Sequence, residues 1–148
     1  MKVSNEDKQE LMDRLWFITE ACYTGVEVPK ESFFRQVVRE GDVFVALDFD
    51  GMVVAYALLT PDYFPGPRKP LLRSIAVLPD YRKRGLGRFL LDEIATYYTG
   101  QASHGILLHC KVGNPAQKLY FDAGYRVRAY LRNYYAPEGD GLEMEKVL

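Results

Sequence analysis

A basic turn that contains two glycines has the residue types of an anion-binding site. The turn consists of Arg82, Lys83, Arg84, Gly85, Leu86, Gly87 and Arg88. A segment with helical apolar spacing follows it, and the first amides of a helix have no partner inside the helix. Glycine lets the backbone approach a ligand closely, and arginine adds paired donors that suit phosphate oxygens. The turn is therefore built like a cradle for a pyrophosphate group.

Two familiar phosphate-binding motifs do not fit this turn. A Walker loop requires Gly-Lys followed by Ser or Thr, and this pair does not occur here. A dinucleotide-binding fingerprint requires a third glycine, and Leu90 occupies its place. The alternative to a pyrophosphate cradle is a solvent-exposed basic turn in which the glycines have no role in ligand binding.

The composition predicts one globular domain over residues 1–148. The chain is 48% hydrophobic and 26% charged, and its net charge of -1 argues against a nucleic-acid partner bound by bulk charge. Apolar runs are shorter than a membrane span, and the N-terminus is too polar for a signal peptide. We therefore expect a cytoplasmic protein with no membrane partner.

Neither the histidines nor the cysteines form a metal-binding pattern. His104 and His109 have the wrong spacing and too few companion ligands for a metal site, and Cys22 and Cys110 do not form a CxxC pair. The two cysteines are expected to be buried free thiols. The sequence predicts no metal site.

Apolar spacing and end signals predict four helices. They cover about 5–24, 29–40, 86–100 and 114–124, and Asn114 is the expected cap of the last one. Six other runs are rich in residues that favour β-structure, and they are predicted to be strands. They are 42–48, 52–60, 71–78, 105–112, 125–135 and 142–148.

The order of these elements predicts an α/β (α+β) fold with a mixed sheet and helices packed on it. The strand–helix–strand unit over 71–112 should be a parallel crossover, and the other connections should be hairpins. The proline-rich segment 61–70 is predicted to be an irregular loop. In the fifth strand, alternation points four residues inward. They are Tyr125, Val127, Ala129 and Leu131.

Two segments of the chain resemble signatures of the GNAT N-acetyltransferase family. Arg82-x-x-Gly85-x-Gly87, after "IAVLPDY", resembles the family's acetyl-CoA signature, and "NPAQKLYFDAGY" resembles its second signature. The order of helices and strands also matches over nearly the whole chain. The resemblance implies a GNAT-like fold, with a parallel strand–helix–strand unit that binds acetyl-CoA as co-substrate.

The resemblance also implies where the coenzyme binds. The turn at 82–88 would hold the pyrophosphate, and Asn114 would bind the pantetheine arm. A plain helix cap is the alternative for Asn114, and one residue could do both. The backbone of the preceding strand would bind the rest of that arm. Its residues are Ile75, Ala76, Val77 and Leu78. An amide near Val77 would polarise the thioester carbonyl.

Two catalytic residues are implied by the same resemblance. Tyr120 matches the tyrosine that protonates the departing thiolate, a transfer uphill by roughly 2 kcal/mol at ordinary pKa values. The alternative is a core tyrosine. His109 stands where ribosomal-protein alanine acetyltransferases have a glutamate, and it could take the amine proton directly or through water. The alternative is a structural histidine.

The end of the chain resembles the tail of protein N-terminal acetyltransferases. In those relatives a tyrosine pair lines the slot for the first substrate residues, and Tyr134 and Tyr135 match it. Ordinary hairpin aromatics are the alternative. The resemblance therefore implies acetyl transfer to a protein or peptide N-terminal α-amine, by direct attack on the thioester.

Two further functions stay open at this point. One is acetylation of a small amine, such as a polyamine or an amino acid derivative, with an acidic lining from Glu20, Glu27 and Glu31. The other is a non-catalytic acetyl-CoA-binding module. A homodimer through the exposed edge of the final strands is also left open.

Overall fold

The structure, a computed structural model, describes residues 1–23, 30–35 and 41–148. The helices are α1 (Asn5–Cys22), α2 (Lys30–Arg35), α3 (Leu86–Gly100) and α4 (Gln117–Asp122). The strands are β1 (Asp42–Leu47), β2 (Val53–Pro65), β3 (Arg68–Val77), β4 (Gly105–Lys111), β5 (Arg126–Leu131) and β6 (Gly141–Val147). Glu27 and the predicted helical residues 24, 29 and 36–40 lie outside the described residues.

The strands form one mixed sheet in the order β1-β2-β3-β4-β6-β5. β3 and β4 are parallel, and every other neighbouring pair is antiparallel. α3 connects β3 to β4, so the predicted parallel crossover is confirmed. The predicted mixed α/β architecture is confirmed with it. The prediction that the other connections are hairpins is wrong between β4 and β5, because β6 lies between these two strands although β5 precedes it in the chain.

Helices cover both faces of the sheet because each has one apolar side. Ser4 caps the start of α1, because its hydroxyl accepts a hydrogen bond from the Asp7 amide at 3.3 Å. The helix buries Met12, Leu15 and Ile18 on one face. α3 and α4 cover the other face, where the core includes residues from both helices and from β4. These residues are Leu90, Ile94, Ile106, Leu108, Cys110 and Tyr120.

β3 and β4 separate after two residue pairs. Leu71 pairs with Leu107 and Leu72 pairs with Leu108. Beyond these pairs, β3 continues along β2 and β4 continues along β6, with no pairing between the two parallel strands. A wedge-shaped gap therefore opens in the middle of the sheet.

The prediction of an irregular loop at 61–70 is wrong. β2 runs to Pro65 and β3 begins at Arg68, so this segment is the end of a long hairpin. The prolines are tolerated because the ladder is irregular there: the register shifts between Thr60 and Phe64.

The inward position predicted for Val127 is also wrong, since its side chain is 57% exposed. β5 is an edge strand, and the register shift between Val127 and Ala129 breaks the alternation. Tyr125, just before the strand, is fully buried as predicted.

Within the described ranges, no helix combines the length and the apolar character needed to cross a membrane.

Candidate active site

A cavity of about 200 Å³ occupies the gap between β3 and β4. Its lining comes from the two separating strands, from the end of α1, from α4 and from the segment before β6. The lining residues are Tyr23, Leu72, Arg73, Ser74, Ile75, Leu108, His109, Cys110, Lys111, Asn114, Tyr120 and Tyr135. Several residues singled out from the sequence therefore meet in one place.

The cavity connects the two faces of the sheet. Cys110 packs in the core beneath α3 and α4, together with Tyr120. His109 is the next residue along the strand, so its side chain points to the opposite face, where it contacts Glu143 of β6. Two reactants could thus meet in the gap from opposite sides of the sheet.

Tyr120 is 8% exposed and lines the cavity from the α4 side. Among the described residues, its hydroxyl has no hydrogen-bond partner, so the O–H is available to a ligand. Burial, followed by the nearby Tyr23 and Cys110, raises the pKa of Tyr120 above its ordinary value. The phenol therefore stays protonated as a donor, and its proton transfer to a thiolate is more uphill than ordinary pKa values indicate.

The backbone of β3 presents alternate groups to the gap. The Leu78 amide donates to the Val54 carbonyl on β2 at 2.9 Å, so the adjacent Val77 amide points to the open edge. The Val77 carbonyl on that edge accepts the Arg82 Nε at 3.0 Å and the Cys22 thiol at 3.3 Å. An edge amide is the type of donor that an oxyanion hole requires.

Tyr23 extends from the end of α1 to the same open edge. Its hydroxyl donates to the Ile75 carbonyl at 2.8 Å and lies 3.3 Å from the Ser74 hydroxyl. Burial raises the pKa of Tyr23, so this phenol is also a protonated donor. Tyr23 thereby fixes the end of α1 beside the cavity.

The turn before α3 has the backbone geometry of an anion site. Lys83 and Gly85 have positive φ angles of 62° and 82°, and the first intrahelical bond runs from the Phe89 amide to the Gly85 carbonyl at 2.9 Å. The three preceding amides, at 86–88, are left without an intrahelical acceptor. The first turn of α3 carries no acidic side chain that would compete with an anion.

The basic side chains of the turn differ in what they contact. Arg88 pairs with Asp92 at 3.0 Å and also donates to the Asp122 carbonyl at 3.0 Å. The Arg84 guanidinium lies over the Tyr81 ring at 5.2 Å. Arg88 therefore joins α3 to α4, whereas Lys83 has no bonded partner among the described residues.

The two glycines have different structural roles. A Cβ on Gly85 would meet nothing within 4 Å, so its positive φ is what favours glycine there. A Cβ on Gly87 would lie 3.1 Å from Leu119 Cδ2. Gly87 therefore permits close packing of α3 on α4, in addition to any room it makes for a ligand.

Asn114 closes the turn before α4, although the helix itself begins at Gln117. Its side-chain oxygen accepts the Ala116 amide at 2.9 Å, and its carbonyl accepts the Gln117 amide at 3.0 Å. The carboxamide N–H group has no acceptor among the described residues, and Asn114 lines the cavity. The prediction that Asn114 is the helix cap is wrong, because α4 begins later and its N-cap is Ala116. The turn bond of Asn114 and a ligand contact are compatible.

His109 is hydrogen-bonded through both ring nitrogens. Nδ1 lies 2.9 Å from the Tyr134 hydroxyl, and Nε2 lies 3.0 Å from the Glu143 carboxylate. The rings of Tyr134 and Tyr135 contact each other, with centroids 4.9 Å apart, and Tyr135 lines the cavity. The tyrosine pair and His109 therefore lie together at the mouth of the gap.

The family model described as "Acetyltransferase (GNAT) family" matches residues 9–125 of the chain. The chain belongs to the GNAT acetyltransferase family. An N-alpha-acetyltransferase of Sulfolobus acidocaldarius is 31% identical over 123 residues, covering 76% of this chain and 73% of the relative. Among the described residues of this GNAT chain, no cluster of three or more His, Cys, Asp or Glu side chains could hold a metal ion.

An Escherichia coli ribosomal-protein alanine N-acetyltransferase is 37% identical over 73 residues, which are 49% of this chain and 49% of that protein. The match thus spans about half the length of that relative. A crystal structure of the Escherichia coli ribosomal-protein-alanine enzyme superposes with a TM-score of 0.81 at 21% identity, covering 99% of this chain and 94% of that one. This likeness establishes the GNAT fold.

Sequence reasoning missed three residues at the site of this GNAT chain. Tyr23 and Ser74 carry no pattern that predicts a place in the cavity. Glu143 could have been noticed, because it alternates with the buried Leu142 and Met144 in the last strand. Its contact with His109 depends on the pairing of β6 with β4, which the order of elements does not predict.

Proposed function

We propose that the protein transfers an acetyl group from acetyl-CoA to the N-terminal α-amine of a protein or peptide. The observation that carries the proposal is the cavity between β3 and β4, which has Tyr120 on one face of the sheet and His109 with the tyrosine pair on the other. The names of the matched relatives, an N-alpha-acetyltransferase and a ribosomal-protein alanine acetyltransferase, support the same function.

The coenzyme would enter from the α3 and α4 side. The unpaired amides at 86–88 and the exposed Lys83 and Arg84 suit its pyrophosphate. The segment from Ile75 to Leu78 would hold the pantetheine arm through the backbone groups that face the open edge of β3. Asn114 would contribute its free carboxamide N–H group. The thioester would then lie in the gap beside Tyr120.

The chain's own groups can perform the transfer. The Val77 amide would stabilise negative charge on the thioester oxygen as the amine attacks. Tyr120 would donate its proton to the departing thiolate. His109 would receive the proton that the amine loses.

An α-amine fits this site better than a polyamine. The described lining residues include Arg73 and Lys111 and no carboxylate, which disfavours a polycation. Glu20 and Glu31, which were candidates for an acidic lining, do not line the cavity. An α-amine has a pKa of about 8 and is neutral more often at pH 7 than a lysine with a pKa of about 10.4.

The test compares CoA release from acetyl-CoA with two peptide pools. One pool has free α-amines, and the matched pool has blocked N-termini and free lysines. The proposal predicts release with the first pool only. Release only with added small amines, or tight acetyl-CoA binding without release from any amine, would contradict it.

A cytoplasmic location, a single domain over 1–148 and a homodimer stay predictions.

A further inference from the structure

A hydrogen-bonded chain of three side chains crosses the substrate-side face of the sheet. His109 lies between Tyr134 and Glu143, at 2.9 Å and 3.0 Å from its two ring nitrogens. Since both nitrogens are engaged, His109 has no free nitrogen to receive a proton directly from an amine. In this arrangement a proton reaches His109 through Tyr134 or Glu143.

Exposure decides which partner faces the substrate. The side chain of His109 is only 10% exposed and that of Glu143 only 19%, whereas Tyr134 is 50% exposed. Tyr134 also contacts Tyr135, which lines the cavity. The Tyr134 hydroxyl is therefore the end of the chain that an amine can reach.

Glu143 determines which nitrogen of the imidazole carries the proton. An ionised carboxylate only accepts hydrogen bonds, so Nε2 must carry the hydrogen that Glu143 accepts. In neutral His109 the lone pair is then on Nδ1, and the Tyr134 hydroxyl donates to it. Both hydrogen bonds therefore run in the same direction: Tyr134 donates to His109, and His109 donates to Glu143.

Other charges fix the carboxylate without reaching the histidine. Arg128 on β5 contacts both carboxylates: its Nε lies 3.4 Å from Glu143 Oε1, and its Nη1 lies 3.4 Å from Glu145 Oε1. The Lys69 Nζ lies 2.7 Å from Glu145 Oε2. Glu145 is the next residue on the same face of β6, and its ion-pair partners among the described residues are the cations Lys69 and Arg128. It therefore provides a natural control for Glu143.

We propose that Tyr134, His109 and Glu143 form a proton relay for the acceptor amine, with Glu143 as the positioning residue. This inference rests on the proposed function. The substrate ammonium gives one proton to the Tyr134 oxygen while the Tyr134 hydroxyl proton moves to His109 Nδ1. The products are a neutral amine and an imidazolium held against the Glu143 carboxylate, and the total charge is unchanged.

The test uses Glu143→Gln, Tyr134→Phe and the double variant, with Glu145→Gln as the matched control. Each single change should lower kcat roughly 10- to 10²-fold. It should change the KM for peptide and for acetyl-CoA by less than about threefold, because the aromatic contacts and the cavity remain. The double variant should be no slower than the slower single variant, since the residues act as a unit. Glu145→Gln should keep wild-type kcat.

Nitrogen NMR of labelled histidine gives a readout that needs no substrate. In the neutral form of wild-type His109, the hydrogen should be on Nε2. Glu143→Gln should show a mixture of both neutral forms, because an amide can donate as well as accept. Thermal unfolding of each variant separates a folding defect from a lost relay.

Several outcomes would overturn the relay. These are wild-type His109 with hydrogen on Nδ1, an unchanged kcat in Glu143→Gln, additive losses in the double variant, or a raised peptide KM with unchanged kcat. The last result would mean that the three residues only hold the tyrosine pair in position and do not transfer a proton. If the wild type acetylates no amine, the proposed function fails, and the histidine spectrum still reports whether the ordered chain exists.

Discussion

Two buried tyrosines in ring contact illustrate how similar side chains can serve different purposes. Tyr120 and Tyr125 have centroids 6.2 Å apart, and burial raises the pKa of both. Tyr120 lines the cavity, whereas the Tyr125 hydroxyl is fully buried without a partner among the described residues. Only the first hydroxyl can reach a reacting thiolate.

The Tyr120→Phe variant should lower kcat roughly 10²- to 10⁴-fold, the usual scale for loss of a general acid. Acetyl-CoA affinity should change little, because the ring and its packing remain. Steady-state kinetics and a binding titration measure the two quantities.

Tyr125→Phe is the matched control for that variant. It should keep wild-type kcat, and the free energy of unfolding should stay the same or rise by up to about 1 kcal/mol, because an unpaired buried hydroxyl is removed. Equal kcat in wild type and Tyr120→Phe would remove Tyr120 from the mechanism.

The start of α3 is the element on which coenzyme binding depends. Gly85 has a φ of 82° and open space at its Cβ position. Asn and Asp both tolerate this conformation better than other residues, and they have nearly the same size. The pair Gly85→Asn and Gly85→Asp therefore changes charge with little change in shape.

Gly85→Asp should weaken acetyl-CoA binding at least about tenfold more than Gly85→Asn, because its carboxylate repels the pyrophosphate at the helix N-terminus. Calorimetry measures the two affinities. Thermal unfolding should show the Asp variant at least as stable as the Asn variant, since an acidic residue there favours the helix. Equal affinities for acetyl-CoA would contradict the proposal that the turn at 82–88 binds its pyrophosphate.

Local patterns in the sequence predict what local geometry determines. The turn at 82–88, the α3 helix and the parallel crossover follow from residues close together in the chain, and the structure contains each of these elements. The hairpin end at 61–70 was missed because prolines usually end strands, and here they coincide with a register shift. Val127 was misplaced because edge position and register are long-range properties.

The site itself could be predicted only in part for the same reason. Tyr120, Asn114 and Tyr135 were singled out from motifs, and all three line the cavity. The contact between His109 and Glu143 depends on the insertion of β6 between β4 and β5, which brings together residues 34 positions apart. No local pattern encodes that insertion.

The whole molecule should lose stability at high pH. Burial raises the pKa of Tyr56 to about 12, and it raises the pKa of Tyr98, Tyr120 and Tyr125 as well. Above pH ~10 the unfolded chain loses these phenolic protons while the folded protein keeps them. The unfolded state then binds fewer protons, so the free energy of unfolding falls as pH rises.

Urea unfolding between pH 9 and pH 11.5 measures this effect, which should be about 1.4 kcal/mol per pH unit for each such tyrosine. Tyr125→Phe should make the decline less steep by that amount. Lys8, whose pKa is lowered by burial, acts in the opposite direction only up to the ordinary lysine pKa. A free energy of unfolding that stays constant above pH 10 would contradict the burial of these phenols.

The central claim is transfer of an acetyl group to an α-amine, and one peptide tests it directly. The peptide carries both a free N-terminus and a lysine with a free ε-amine, and it is incubated with the protein and acetyl-CoA. Fragmentation mass spectrometry then locates the added acetyl group. The account predicts acetylation at the α-nitrogen, lost with Tyr120→Phe and kept with Tyr125→Phe. Acetyl found on the lysine, or on neither nitrogen, would contradict it.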